Sequence, residues 1–90
     1  MATPDSPSLI EYPSLFPIKV MGANEPGFEQ AMVDIALRFD PGFEPRTLQV
    51  RSSRGGKYLG LTLHITATSR EQLDAIYRCL SSHPMVKVVL

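Results

Sequence analysis

The sequence predicts a single α+β domain in the order β-α-β-β-α-β. Three observations carry that expectation. Leu59, Leu61, Leu63, Ile65 and Ala67 alternate strictly with Tyr58, Gly60, Thr62, His64 and Thr66, the period of a strand with one buried and one open face. Two other segments space their apolar residues at helical intervals, Phe28, Met32, Ile35 and Phe39 in one and Leu73, Ile76, Tyr77 and Leu80 in the other. Between the second and third predicted strands, Arg54-Gly55-Gly56-Lys57 supplies the paired glycines that a tight hairpin needs.

Taken in order, residues 1–8 are expected to form a loose tail, with Pro4, Ser6 and Pro7 and no basic or long apolar run. The folded domain is expected over residues 9–90. Ile10, Tyr12 and Leu15, interrupted by Pro13, read as an irregular arm. Strand one follows at Phe16–Gly22, with Pro17 at its start, Phe16, Ile18 and Val20 on one face and Lys19 and Met21 on the other. Asn24 is the expected cap of helix one over Pro26–Phe39, and Asp40-Pro41-Gly42 ends it. Strand two is expected at Thr47–Ser53 and strand three at Tyr58–Ala67. Thr68 and Glu71 have the spacing of a capping box for helix two, with Thr68 as the cap. Ser81-Ser82-His83-Pro84 stops that helix, and strand four runs from Met85 to Leu90.

This order is the ferredoxin-like one: a four-stranded antiparallel sheet with both helices on one face. Strands two and four become the edges, where self-association into a homodimer has a pairing template. By parity the open face is expected to carry Lys19, Met21, Gln49, Arg51, Thr62, His64, Lys87 and Val89.

Ninety residues with 43% hydrophobic and 20% charged content suffice for one core. Nine basic and nine acidic residues cancel, so no overall field draws in nucleic acid or an anionic membrane. One cysteine, Cys79, excludes an internal disulfide and a cysteine-based metal cage, and suggests a reducing compartment. No apolar run reaches the length of a membrane span. A cytoplasmic protein without a cofactor is the expectation.

Several activities known on this fold lack their residues. The first loop of acylphosphatases cradles phosphate with an arginine; here Gly22-Ala23-Asn24-Glu25 has none, and Glu25 would repel the anion. Metal chaperones need two cysteines in that loop. RNA-binding versions stack bases on strand aromatics, and only Tyr58 stands near the open face. His64 reads as a solvated strand residue and His83 as a turn residue. Cys79 has only Arg78 as a flanking positive charge. Arg51, Arg54 and Lys57 around the hairpin read as a solvated turn, with a small anion grip as the functional alternative. No nucleophile–base–acid set is visible, and a non-enzymatic protein is expected.

With the elements placed, Phe16-Pro17 followed by Lys19-Val20-Met21-Gly22 resembles the first strand of the YbeD family of small bacterial proteins. Ser52-Ser53, the Gly-Gly turn with Lys57-Tyr58, the Ile65-Thr66-Ala67-Thr68 exit into helix two and the final Val86-Lys87-Val88-Val89-Leu90 resemble the same family. The likeness covers residues 9–90. It implies a domain similar to the ACT regulatory domains, a loose link to lipoate metabolism and no catalytic residue. Asn24-Glu25-Pro26-Gly27-Phe28 also resembles the ACT turn whose backbone amides hold an amino-acid ligand, with Asn24 where aspartate is usual. The likeness thus implies a ligand site at Gly22, Asn24, Pro26 and Gly27, whereas a plain helix start is the structural alternative. Two roles are expected: an ACT-like regulatory module sensing a small molecule at that loop, or an adaptor linked to lipoate metabolism that binds a protein through Lys19, Arg51, His64 and Lys87. RNA binding ranks third.

Overall fold

The computed structural model describes residues 11–90. The expected tail over 1–8, the domain start at Leu9 and the apolar Ile10 lie outside them. Six elements follow in the expected order: β1 Ser14–Ala23, α1 Phe28–Phe39, β2 Gln49–Ser52, β3 Tyr58–Ala67, α2 Arg70–Ser82 and β4 Val86–Val89. The strands form one antiparallel sheet in the order β2-β3-β1-β4, so β2 and β4 are its edges. Ile18, Val20, Leu61, Leu63 and Ile65 on the central strands bury themselves against Phe28, Met32 and Ile35 of α1 and Leu73, Ile76 and Leu80 of α2. Both helices therefore cover one face of the sheet, and the other face is open.

β1 begins two residues earlier than the expected Phe16 and takes in Leu15, which is 67% exposed rather than packed as part of an arm. Pro17 thus lies inside the strand, opposite His64. Lys19 exchanges backbone hydrogen bonds with Leu90. Pro17, two residues earlier, points to the same side, beyond the end of β4, so its missing donor breaks no ladder bond.

α1 starts at Phe28, not Pro26, because Gly27 caps it in the left-handed region at φ 88°. Asn24 is not the cap. Its side-chain amide donates instead to the Gly56 carbonyl at 2.9 Å, and its backbone N–H donates to Lys57. The first loop is thereby clipped to the β2–β3 hairpin, whose Gly55 and Gly56 take the expected positive φ. At the other end of α1, the buried Asp40 carboxylate accepts from the N–H of Gly42 and, across to β3, from that of Thr66.

The cap of α2 is displaced by one residue from the expected pair. Ser69, not Thr68, accepts from the Gln72 N–H, and Gln72, not Glu71, reaches back to accept from the Thr68 N–H. Gln72 wins because its amide also donates to the carbonyls of Phe39 and Thr66, tying both helices to β3. β2 is shorter than expected because Pro45–Thr47 coil into a 3₁₀ turn held by the Thr47 hydroxyl on the Glu44 carbonyl. His83 serves the turn, accepting from the Met85 N–H.

Candidate functional site

The open face is set by the pleat. Side chains that pair across β2, β3 and β1 share one side, so Gln49, Thr62 and Lys19 make one row and Arg51, Gly60 and Met21 the next. β4 extends the rows with Val88 beside Met21, while Leu90 stands next to Lys19 through its backbone bonds. The result is a trough of about 520 Å³ floored by the sheet and lined by these residues. Met21, Val88 and Leu90 are exposed by 44%, 46% and 73%, a contiguous apolar strip unusual for side chains facing solvent.

Lys19 and Arg51 are exposed and make no ion pair among the described residues. No Asp or Glu occupies a paired open-face position of the sheet. The trough therefore sets two cations diagonally across β3, Arg51 on β2 and Lys19 on β1, beside the aliphatic strip.

Two expected members of this face are corrected. Val89 pairs with Val20 and packs on the helix side. Lys87 is the extra residue of a bulge: Met21 pairs with Val88, but the next residue, Gly22, pairs with Val86. One added residue reverses the parity of β4, so Val88 and Leu90 take the open-face positions. Sequence reasoning also misses Gly60 as a site residue, although a glycine inside a strand is itself a signal. His64 lies on the open face as expected, with its Nε2 3.2 Å from Gln49 Oε1. It borders a second recess of about 440 Å³, shared with Leu15, Phe43 and Thr47 and with two carboxylates, Asp40 and Glu44.

The loop Gly22–Gly27 lines neither concavity. Gly22 has a structural reason to be glycine. A Cβ there would collide with the Met85 carbonyl oxygen and stand 2.7 Å from the Phe28 ring. Asn24 is occupied by Gly56, while Pro26 and Gly27 are exposed. Arg38 Nη1 of α1 lies 3.7 Å from Cys79 Sγ of α2, so a positive charge reaches the thiol from α1. Among the described residues no group of three or more His, Cys, Asp or Glu is placed to hold a metal. No described helix is long and apolar enough to cross a membrane.

This sheet order with two helices on one face defines an α+β sandwich of the ferredoxin-like, ACT-like class. The solution structure of protein HP0495 from H. pylori has the same fold, with a TM-score of 0.76 at 15% identity, covering 100% of this chain and 97% of that one. The chain belongs to the family described as "Protein of unknown function (DUF493)", whose model matches residues 7–90. Its relatives include a "UPF0250 protein" of Leptothrix cholodnii, 67% identical over 97% of this chain and 96% of that one. A UPF0250 protein of Bordetella pertussis is 59% identical over the same shares. The resemblance carried by strand one, the hairpin and the final strand is borne out at the level of the family.

Proposed function

We propose that the protein is a non-enzymatic, cytoplasmic binding module that docks a partner protein on the open face of its sheet. The observation that carries this reading is the pairing of two cations without an ion pair among the described residues, Lys19 and Arg51, with the exposed aliphatic strip of Met21, Val88 and Leu90. Folding does not require either feature, and together they offer the apolar contact and charge complementarity of a docking surface. A non-catalytic role is supported by the groups around His64: it is engaged with Gln49, and the carboxylates of its recess are engaged elsewhere, Asp40 by the N–H groups of Gly42 and Thr66 and Glu44 by Arg46. The lipoate link implied by the family resemblance puts a lipoyl-carrying protein first among the partners to test.

Small-molecule sensing at the loop is the weaker reading, because the Asn24 amide is already committed to Gly56. The two separate in one pair of experiments. Affinity capture should yield a partner whose binding weakens about tenfold or more in Lys19→Glu and Arg51→Glu while Arg54→Glu leaves it intact. A partner indifferent to both reversals removes the sheet face from consideration. Amide shifts confined to residues 22–28 on titrating amino acids, lipoate or octanoate would move the site to the loop.

A further inference from the structure

We infer that the occupant of the open face is an extended protein segment that carries a carboxylate two residues from an aliphatic side chain, and that Gly60 is the floor that admits it. This rests on the docking reading above and names the chemistry of the partner. Arg51, Gly60, Met21 and Val88 form one row across all four strands. Arg51 is one wall, Met21 and Val88 are the other, and Gly60 leaves the strand between them bare.

The fold gives no reason for that glycine. Its φ is not positive, unlike that of Gly27, Gly55 and Gly56. A Cβ added to it would meet only the Arg51 carbonyl oxygen, at 3.8 Å, an ordinary contact. A glycine inside a strand weakens the strand and packs nothing, so the space itself is what the residue provides.

The dimensions select an extended chain. Neighbouring strands lie about 4.8 Å apart, so the backbones bearing Arg51 and Met21 are separated by about 10 Å. A helix with its side chains is about 10–12 Å across and would ride on the rim. An extended segment can lower one aliphatic side chain onto Gly60 and present the side chain two residues on, which shares that face, to the cations. Arg51 in the same row and Lys19 in the adjacent row stand on either side of that point, suited to a carboxylate. A single-stranded nucleic acid would also bring negative charge, but it needs aromatic platforms. Tyr58 stands at the corner of the sheet, and its ring is already faced by the Lys57 ammonium at 5.7 Å.

The test is an amide NMR titration of the full chain with short threonine-rich peptides that place glutamate two residues from leucine, with the same peptides carrying glutamine in place of glutamate, and with a single-stranded oligonucleotide. The acidic peptides should shift Gly60, Met21, Arg51 and Thr62, and the glutamine versions should bind about tenfold more weakly or worse. Gly60→Thr, which suits a strand but fills the floor, should abolish the shifts while the melting temperature holds. Gly60→Ala should weaken them, and it serves if the larger substitution disturbs folding. Equal binding of the glutamine peptides, indifference to both Gly60 variants, no binding by the acidic peptides, or preference for the oligonucleotide would overturn the inference. If a captured partner depends on Lys19 and Arg51 but ignores both Gly60 variants, this inference fails and the docking face stands. If it ignores the charge reversals, both fail.

Discussion

Adjacent residues of the two central strands live in opposite environments. Ile18, Val20, Leu61, Leu63 and Ile65 face the helices and are at most 1% exposed. Of their neighbours, Lys19, Met21 and Thr62 face out over the trough and His64 over the second recess. The same hydrogen-bond ladder holds both sets, so the backbone does not distinguish them. On the helix side each residue is determined by what it packs against. On the open side folding demands only that a strand be tolerated, and yet two cations and an aliphatic strip stand side by side. The difference locates the surface that is free to serve recognition.

That contrast can be broken by truncating one residue on each side. Phe28 is fully buried between α1 and the sheet, so Phe28→Ala should cost about 4 kcal/mol in chemical denaturation. Met21→Ala, removing a side chain of the open face, should stay within about 0.5 kcal/mol. Equal losses would mean that the open face is part of the stabilising core. Gly22→Ala sharpens the same boundary from the backbone. Its methyl group would press on the Met85 carbonyl and the Phe28 ring, so the edge strand must shift, at a cost of about 2–3 kcal/mol. A Gly22→Ala protein of unchanged stability would return that glycine to the list of ligand-loop candidates. The caps give a smaller effect. Ser69→Ala should cost about 1 kcal/mol in thermal melts, whereas Thr68→Ala, whose side chain caps nothing, should leave the midpoint unchanged. The reverse order would restore Thr68 as the cap.

What can be read in advance follows the same division. The period of β3 and the stripe of α2 come from one buried face each, and those elements are legible residue by residue. Ser69 and Thr68 are not separable in the sequence, because each hydroxyl has an acid or amide three residues on, Gln72 or Glu71. Contacts of Gln72 with Phe39 and Thr66, distant in sequence, decide between them. Asn24 is misassigned for the same reason, since the hairpin that claims its side chain lies some thirty residues away. The bulge at Lys87 leaves no mark in a run of valines, and it reverses the parity on which the open-face assignment of β4 depends. Lys19, Met21, Arg51 and His64 fall where parity puts them because β1 and β3 pair without interruption over their whole length.

The smallest expected effect lies at the seam between the two environments. Tyr77 of α2 is half-buried, with its hydroxyl 3.5 Å from the Leu90 carbonyl oxygen at the end of the β4 edge. Burial disfavours the phenolate and raises its pKa above the ordinary 10.0. The folded state therefore holds the Tyr77 proton to higher pH than the unfolded chain does. Below about pH 10 both states carry it and stability does not depend on this group. Above that value the unfolded chain loses the proton first, so stability falls with rising pH until the folded state titrates as well. Tyr77→Phe should keep stability near its normal level at neutral pH, because the hydroxyl contact is long, and should flatten the alkaline decline in denaturation midpoints measured upward from about pH 9. A variant that declines as steeply as the parent would assign the alkaline sensitivity to other groups and leave Tyr77 as a packing residue alone.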